Sequence, residues 1–214
     1  MTTKLKSGET ILFIGDSITD CGRRNQFAPL GNGYVKMFAD LLTIRESAKR
    51  ITVINKGISG NVVTQLRDRW TDDMMRHKPD WLSVKIGIND VHRTLFGNPE
   101  PVPPELYAAT YDDILARTVK RLPKCRILLI DPFYISNETV PGTRRHVVLE
   151  MLPKYIATVH KLAKRYKTRL VKTHDMFQKL LKHHDADTFC PEPVHPNLTG
   201  HLAIANAVYD ALCR

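Results

Sequence analysis

TILFIGDSITD, residues 10–20, begins as an apolar run and ends on polar side chains. The run from Thr10 to Gly15 shows no apolar–polar alternation. It therefore reads as a strand covered on both faces, not as a half-wet one. The same form returns at ITVIN (51–55), WLSVKIG (81–87), RILLID (126–131) and RLVKT (169–173). Helical periodicity lies between these runs, over about Tyr34–Leu42, Val62–His77, Glu105–Leu122 and Arg144–Tyr166. A further helix runs to about His183 and a last one spans about Thr199–Leu212, after a loop over 184–197; another loop covers 96–104. Pro153 is expected to kink or split the helix that holds it. Strand–helix alternation of this kind predicts an α/β fold with a five-stranded parallel sheet and right-handed crossovers. One domain over residues 1–214 accommodates it.

In such sheets the binding site lies beyond the carboxyl ends of the strands. The first strand ends in Gly15-Asp16-Ser17 and the second in Asn55-Lys56-Gly57-Ile58-Ser59-Gly60-Asn61. The third ends in Gly87-Ile88-Asn89-Asp90, and the last loop carries Glu192-Pro193-Val194-His195-Pro196. Together they offer a hydroxyl, a glycine amide, a side-chain amide and an imidazole. Acyl transfer needs that set: a nucleophile, donors for an oxyanion and a general base. Each residue alone has a plainer reading. Ser17 resembles a helix cap, Gly60 a turn glycine, Asn89 a turn or cap residue, and His195 a loop histidine. Their shared placement and order outweigh those readings.

GDSITD (15–20), ISGN (58–61), GIND (87–90) and VHPN (194–197) together resemble the four blocks of the SGNH, or GDSL, hydrolase superfamily. The strings FIGDSITDCGR, NKGISGN, KPDW, IGINDV and PFYI are similar to its acetylxylan-esterase-like branch. The resemblance implies a flavodoxin-like three-layer α/β/α sandwich. It assigns Ser17 as nucleophile, His195 as general base, and the Ser17 amide, Gly60 amide and Asn89 side chain as oxyanion hole. Where the family carries aspartate three residues before the histidine, this chain has Glu192. Glutamate can orient an imidazole, and Ser-His-Glu triads exist on other folds; Asp185 or Asp187 are the alternatives. Asp16 and Asp90 are expected to hold loops. His92, Arg93 and Tyr134 follow strands and are expected to line the pocket, with Arg144 and Arg145 in polar loops beside it.

The expected activity is hydrolysis of small esters, foremost O-acetyl groups of carbohydrates, through an acyl-serine. A lysophospholipase or thioesterase of the same superfamily is the rival enzyme; a catalytically silent carbohydrate- or nucleic-acid-binding protein is the rival from another class. No cofactor is implied. The net charge of +10 comes from basic residues scattered through helical stretches such as KLAKRYKTR, without an arginine-rich arm, so nucleic acid is not expected. His183, His184, Asp185 and Cys190 lack metal-ligand spacing, and Gly31-Asn32-Gly33 lacks a dinucleotide fingerprint. Cys21, Cys125, Cys190 and Cys213 are widely separated, as reduced thiols are. Neither a signal peptide nor a membrane span is visible, so a cytoplasmic location without membrane contact is expected. A homo-oligomer is compatible with the sequence.

Overall fold

The computed structural model describes residues 2–213. Five strands form one parallel sheet: β1 (Thr10–Gly15), β2 (Thr52–Gly57), β3 (Trp81–Lys85), β4 (Arg126–Ile130) and β5 (Arg169–Val171). Their spatial order is β2-β1-β3-β4-β5, the flavodoxin-like order. The chain crosses to one side of β1 and then to the other, which opens a crevice at the carboxyl edge. The register sets Gly15 beside Gly57 on one flank and beside Lys85 on the other.

The helices are α1 (Ser17–Asp20), α2 (Tyr34–Arg45), α3 (Val63–Asp68), α4 (Trp70–Asp73), α5 (Ile88–Leu95), α6 (Pro104–Arg121), α7 (Arg144–Arg165), α8 (Thr173–Leu180) and α9 (Leu198–Cys213). On one face of the sheet α2 packs against α9; on the other, α6 packs against α3 and α7, and α7 also meets α5. Ile11 to Ile14 are fully buried, as a doubly covered strand requires. Phe13 meets Tyr34 and Phe38 of α2 edge-on, at 5.8 and 5.3 Å between ring centroids. Opposite it, Tyr107 meets Tyr111 edge-on (5.5 Å) and Tyr155 at a tilt (4.9 Å), and Trp70 donates its indole N–H to Thr118 (3.1 Å).

Three expectations change. The helix expected over Val62–His77 is three pieces: α3, α4 and a single 3₁₀ turn at Met75–His77, with the first break at Arg69. α5 is an additional helix, eight residues long, directly after β3. Pro153 does not split α7. A proline removes one backbone bond inside a helix, and the packing of α7 on α5 and α6 offsets that loss.

Candidate active site

Asp16 stops β1 and starts α1. Its carboxylate accepts the Ile18 N–H (3.0 Å), so the helix cap is Asp16 and the Ser17 hydroxyl is left for other work. The turn is short because Cys21 adopts a left-handed conformation (φ 43°) and ends α1 after four residues. Beneath Ser17, the Lys85 ammonium lies 3.7 Å from the Asp16 carboxylate, with both side chains fully buried. It also faces the Phe133 ring at 4.7 Å. Burial pulls the Lys85 pKa down, and the charges of Asp16 and Asp131 oppose that pull.

The turn after β2 is fastened to α1. Asp20 accepts from the Ser59 amide (3.0 Å) and the Ser59 hydroxyl (3.3 Å). Asn55, buried at the end of β2, donates to the Thr19 and Leu30 carbonyls (2.6 and 2.7 Å) and accepts from the Gly57 amide (2.8 Å). Gly60 has φ +79°, which glycine adopts without strain, while the space where a Cβ would stand is open. The glycine is therefore required for backbone direction, not for room.

Gly87 leads into α5, which presents Asn89. The Asn89 amide donates one hydrogen to the Asn61 carbonyl (3.1 Å) and keeps its second hydrogen. Asp90 is fully buried and accepts the Val63 amide (2.9 Å), joining α5 to α3; burial raises its pKa to about 7. Among the described residues the Ser17 and Gly60 amides have no hydrogen-bond partner.

The loop before α9 brings the imidazole across. His195 Nε2 lies 2.9 Å from Ser17 Oγ. Its Nδ1 lies 2.5 Å from Glu192 Oε1, which also accepts the His195 amide (2.7 Å), while Oε2 accepts the Val194 amide (3.1 Å). An ionised carboxylate only accepts, so Nδ1 carries the proton and Nε2 presents its lone pair to the serine. The loop is pinned where the Ile135 amide donates to the Pro193 carbonyl (2.8 Å), and Asn197 caps α9 by accepting from Gly200 (3.1 Å). His195 Nδ1 is held by Glu192 and not by either alternative; Asp185 precedes a 3₁₀ turn at Ala186–Thr188, and the Asp187 backbone carbonyl accepts from Asn197 (3.2 Å).

Around the imidazole, the His92 ring meets Tyr134 edge-on (6.1 Å) and Phe96 (5.6 Å), and Arg144 stacks over Phe96 (3.9 Å). Burial and the nearby Arg144 charge lower the His92 pKa, against the opposing pull of the Glu192 charge. Arg93 turns toward Gln65 (3.3 Å) and Glu100 (3.7 Å). His183, His184, Asp185 and Cys190 do not converge; among the described residues no trio of His, Cys, Asp or Glu is placed to hold a metal ion. All four cysteines are free. No described helix is long and apolar enough to cross a membrane. The buried Lys85–Asp16 pair and the contacts of Asp20, Asn55 and Asn61 are absent from the expectations drawn from sequence. Of these, Asp16, Asp20, Asn55 and Asn61 lie within the quoted motifs.

A sheet of this order, with a serine–imidazole–carboxylate array at its carboxyl edge, defines a carboxylic ester hydrolase. The chain belongs to the GDSL-like Lipase/Acylhydrolase family, whose model matches residues 13–203. It is 39% identical over 212 residues to an acetylxylan esterase of Geobacillus stearothermophilus, with 95% of this chain and 94% of the relative covered. The crystal structure of Axe2, an acetylxylan esterase from that organism, superposes with a TM-score of 0.87 at 37% identity, over 98% of this chain and 96% of the other. LAE5, an alpha/beta hydrolase enzyme from the metagenome of Lake Arreo, Spain, superposes with a TM-score of 0.86 at 32% identity, over 97% and 96%.

Proposed function

We propose that this protein removes O-acetyl groups from carbohydrates, acetylated xylo-oligosaccharides foremost, through an acyl-enzyme on Ser17. The observation that carries the chemistry is the file Ser17 Oγ, His195 Nε2, His195 Nδ1, Glu192 Oε1, spaced at 2.9 Å and 2.5 Å across its two hydrogen bonds. The substrate class rests on the likeness to acetylxylan esterases.

His195 Nε2 takes the Ser17 proton as Oγ forms a bond to the acetyl carbonyl carbon. The carbonyl oxygen becomes an oxyanion and accepts from the unpartnered Ser17 and Gly60 amides and from the free hydrogen of Asn89. Donors fixed in advance stabilise that charge without reorganising. Collapse of the intermediate breaks the bond to the sugar oxygen, which leaves with the proton held on Nε2. Water then attacks the acetyl-serine, Nε2 takes its proton, and acetate departs as Ser17 recovers its hydrogen. His92 and Tyr134 wall the site beside His195, and Arg93 is held at its margin by Gln65 and Glu100.

The test measures acetate release from acetylated xylo-oligosaccharides alongside p-nitrophenyl esters of increasing chain length. Acetate preference and acetate release from the sugars are expected. Preference for long acyl chains would replace this reading with a lysophospholipase or thioesterase. Absence of turnover and of fluorophosphonate labelling would replace it with a binding protein.

A further inference from the structure

The break between α3 and α4 has a use. Arg69 leaves helical geometry there (φ −97°, ψ 6°), and its side chain turns inward, only 15% exposed. Nε donates to Asn61 Oδ1 (2.7 Å), Nη1 to the Lys56 carbonyl (2.8 Å) and to Asp73 (2.8 Å), and Nη2 to the Gly15 carbonyl (3.0 Å). The acceptors other than Asp73 lie on two segments of the site, the end of β1 and the end of β2 with its turn. Gly15 closes β1 two residues before Ser17. Lys56 lies near the end of β2, ahead of Gly60. Asn61 follows Gly60, and its carbonyl holds the Asn89 amide.

We infer that Arg69 is a positioning residue for the oxyanion hole, joining through one guanidinium the end of β1 before Ser17 to the β2 end and turn that carry Gly60, and reaching Asn89 only through Asn61. This rests on the reading of the Ser17, Gly60 and Asn89 donors given above. The strand ladder runs out at this edge: Gly15 and Gly57 are the last register pair of β1 and β2. Beyond it the Ile58 amide donates to the Gly15 carbonyl (3.0 Å) and Asp20 holds Ser59, and Arg69 adds a tie that extends to Asn61. A guanidinium presents five N–H groups in a rigid planar fork, whereas an ammonium presents three from one point. Only arginine can meet these four acceptors from this position. Asp73 balances the charge from the outer side, with Lys56 at 3.4 Å on its other oxygen.

The test compares kcat and KM for p-nitrophenyl acetate, with melting temperature as the control for folding. Arg69→Lys keeps the charge and loses the fork. Its kcat should fall about a hundredfold, the scale of a misplacement of about 1 Å, with KM within about threefold of wild type. In Arg69→Ala, added guanidinium ion should restore part of the lost kcat, and methylammonium should not. Asn61→Ala removes one acceptor of the fork without disturbing the others, and should lower kcat about tenfold in a folded enzyme. This variant decides the matter if the Arg69 variants do not fold. A folded Arg69→Lys enzyme with kcat within about threefold of wild type, a loss confined to KM, or an unchanged Asn61→Ala enzyme overturns the inference. Asn89→Ala separates the two levels. If it too leaves kcat unchanged, the oxyanion reading fails. If it costs about a hundredfold or more while Arg69→Lys costs nothing, the role of Arg69 alone fails.

Discussion

Replacing Glu192 by glutamine should lower kcat about 10- to 100-fold, and the geometry sets that size. The carboxylate accepts three hydrogens: two at Oε1, from the His195 amide and Nδ1, and one at Oε2, from the Val194 amide. Glutamine in its better orientation keeps its oxygen toward His195 and turns its NH₂ against Val194. That forfeits one hydrogen bond, about 1 kcal/mol, and preserves the imidazole tautomer. The loss that reaches the transition state is the negative charge facing the imidazolium. Two unit charges about 4 Å apart attract by about 1 kcal/mol in water and about 4 kcal/mol at a typical protein-surface dielectric. The side chains of His195 and Glu192 are 59% and 47% exposed, so the pair lies between these limits. About 2 kcal/mol corresponds to roughly 30-fold. A buried triad aspartate changed to asparagine loses about 10⁴, because there the tautomer inverts as well. The assay is kcat for p-nitrophenyl acetate on a plateau of the pH profile, at low and high salt. The defect should narrow at high salt, where the wild-type pair is screened. Activity within about threefold of wild type would refute charge stabilisation and leave a Ser-His dyad; a loss near 10⁴ would refute the retained tautomer.

Ser17→Ala should abolish turnover while unfolding free energy stays within about 1 kcal/mol, because Asp16 and not Ser17 caps α1; turnover above about a tenth of wild type would remove Ser17 from the chemistry. Asn89→Ala should lower kcat by about 10²–10³ with a smaller change in KM, and a defect mainly in KM would make Asn89 a substrate-binding group. His201 accepts the Tyr34 amide at Nδ1 (3.2 Å), and burial lowers its pKa from 6.5 to about 4. The unfolded chain therefore binds this proton at higher pH than the folded one. The stabilisation is complete above about pH 6.5 and is lost as pH falls toward 4, by roughly 3 kcal/mol. Urea unfolding at pH 7 and pH 4 should show that loss in wild type relative to His201→Gln; parallel pH dependence in the two proteins would contradict it.

The sheet was legible because its strands are short, largely apolar runs separated by helical stretches, and the central strands β1, β3 and β4 are covered on both faces as such runs demand. α5 was not, because it is eight residues long and buries Ile88, Asp90 and Val91 while leaving a polar face, too brief a pattern to separate from a loop. The span Val62–His77 keeps helical periodicity throughout, and nothing local marks Arg69 as a break; its cause is a tertiary one, the pull of acceptors on β1, β2 and the Asn61 turn. Glu192 could be found because its relation to His195 is local, three residues within one loop. Lys85 could not, since a lysine in an apolar strand suggests an edge position, and its burial is explained by groups distant in sequence, Asp16 just past β1 with Asp131 and the Phe133 ring.

Ser17 and His195 stand 178 positions apart in the chain, yet they touch. The array at the sheet edge therefore comes into being only when the last loop has docked on the first strand–helix unit. A partly synthesised chain, or one cut ahead of the Glu192–His195 loop, holds the serine but no base. Turnover in a refolding mixture accordingly reports completed long-range assembly, not the earlier appearance of helices and local turns. Recovery of esterase activity should trail far-ultraviolet circular dichroism whenever the closing contact is the slow event.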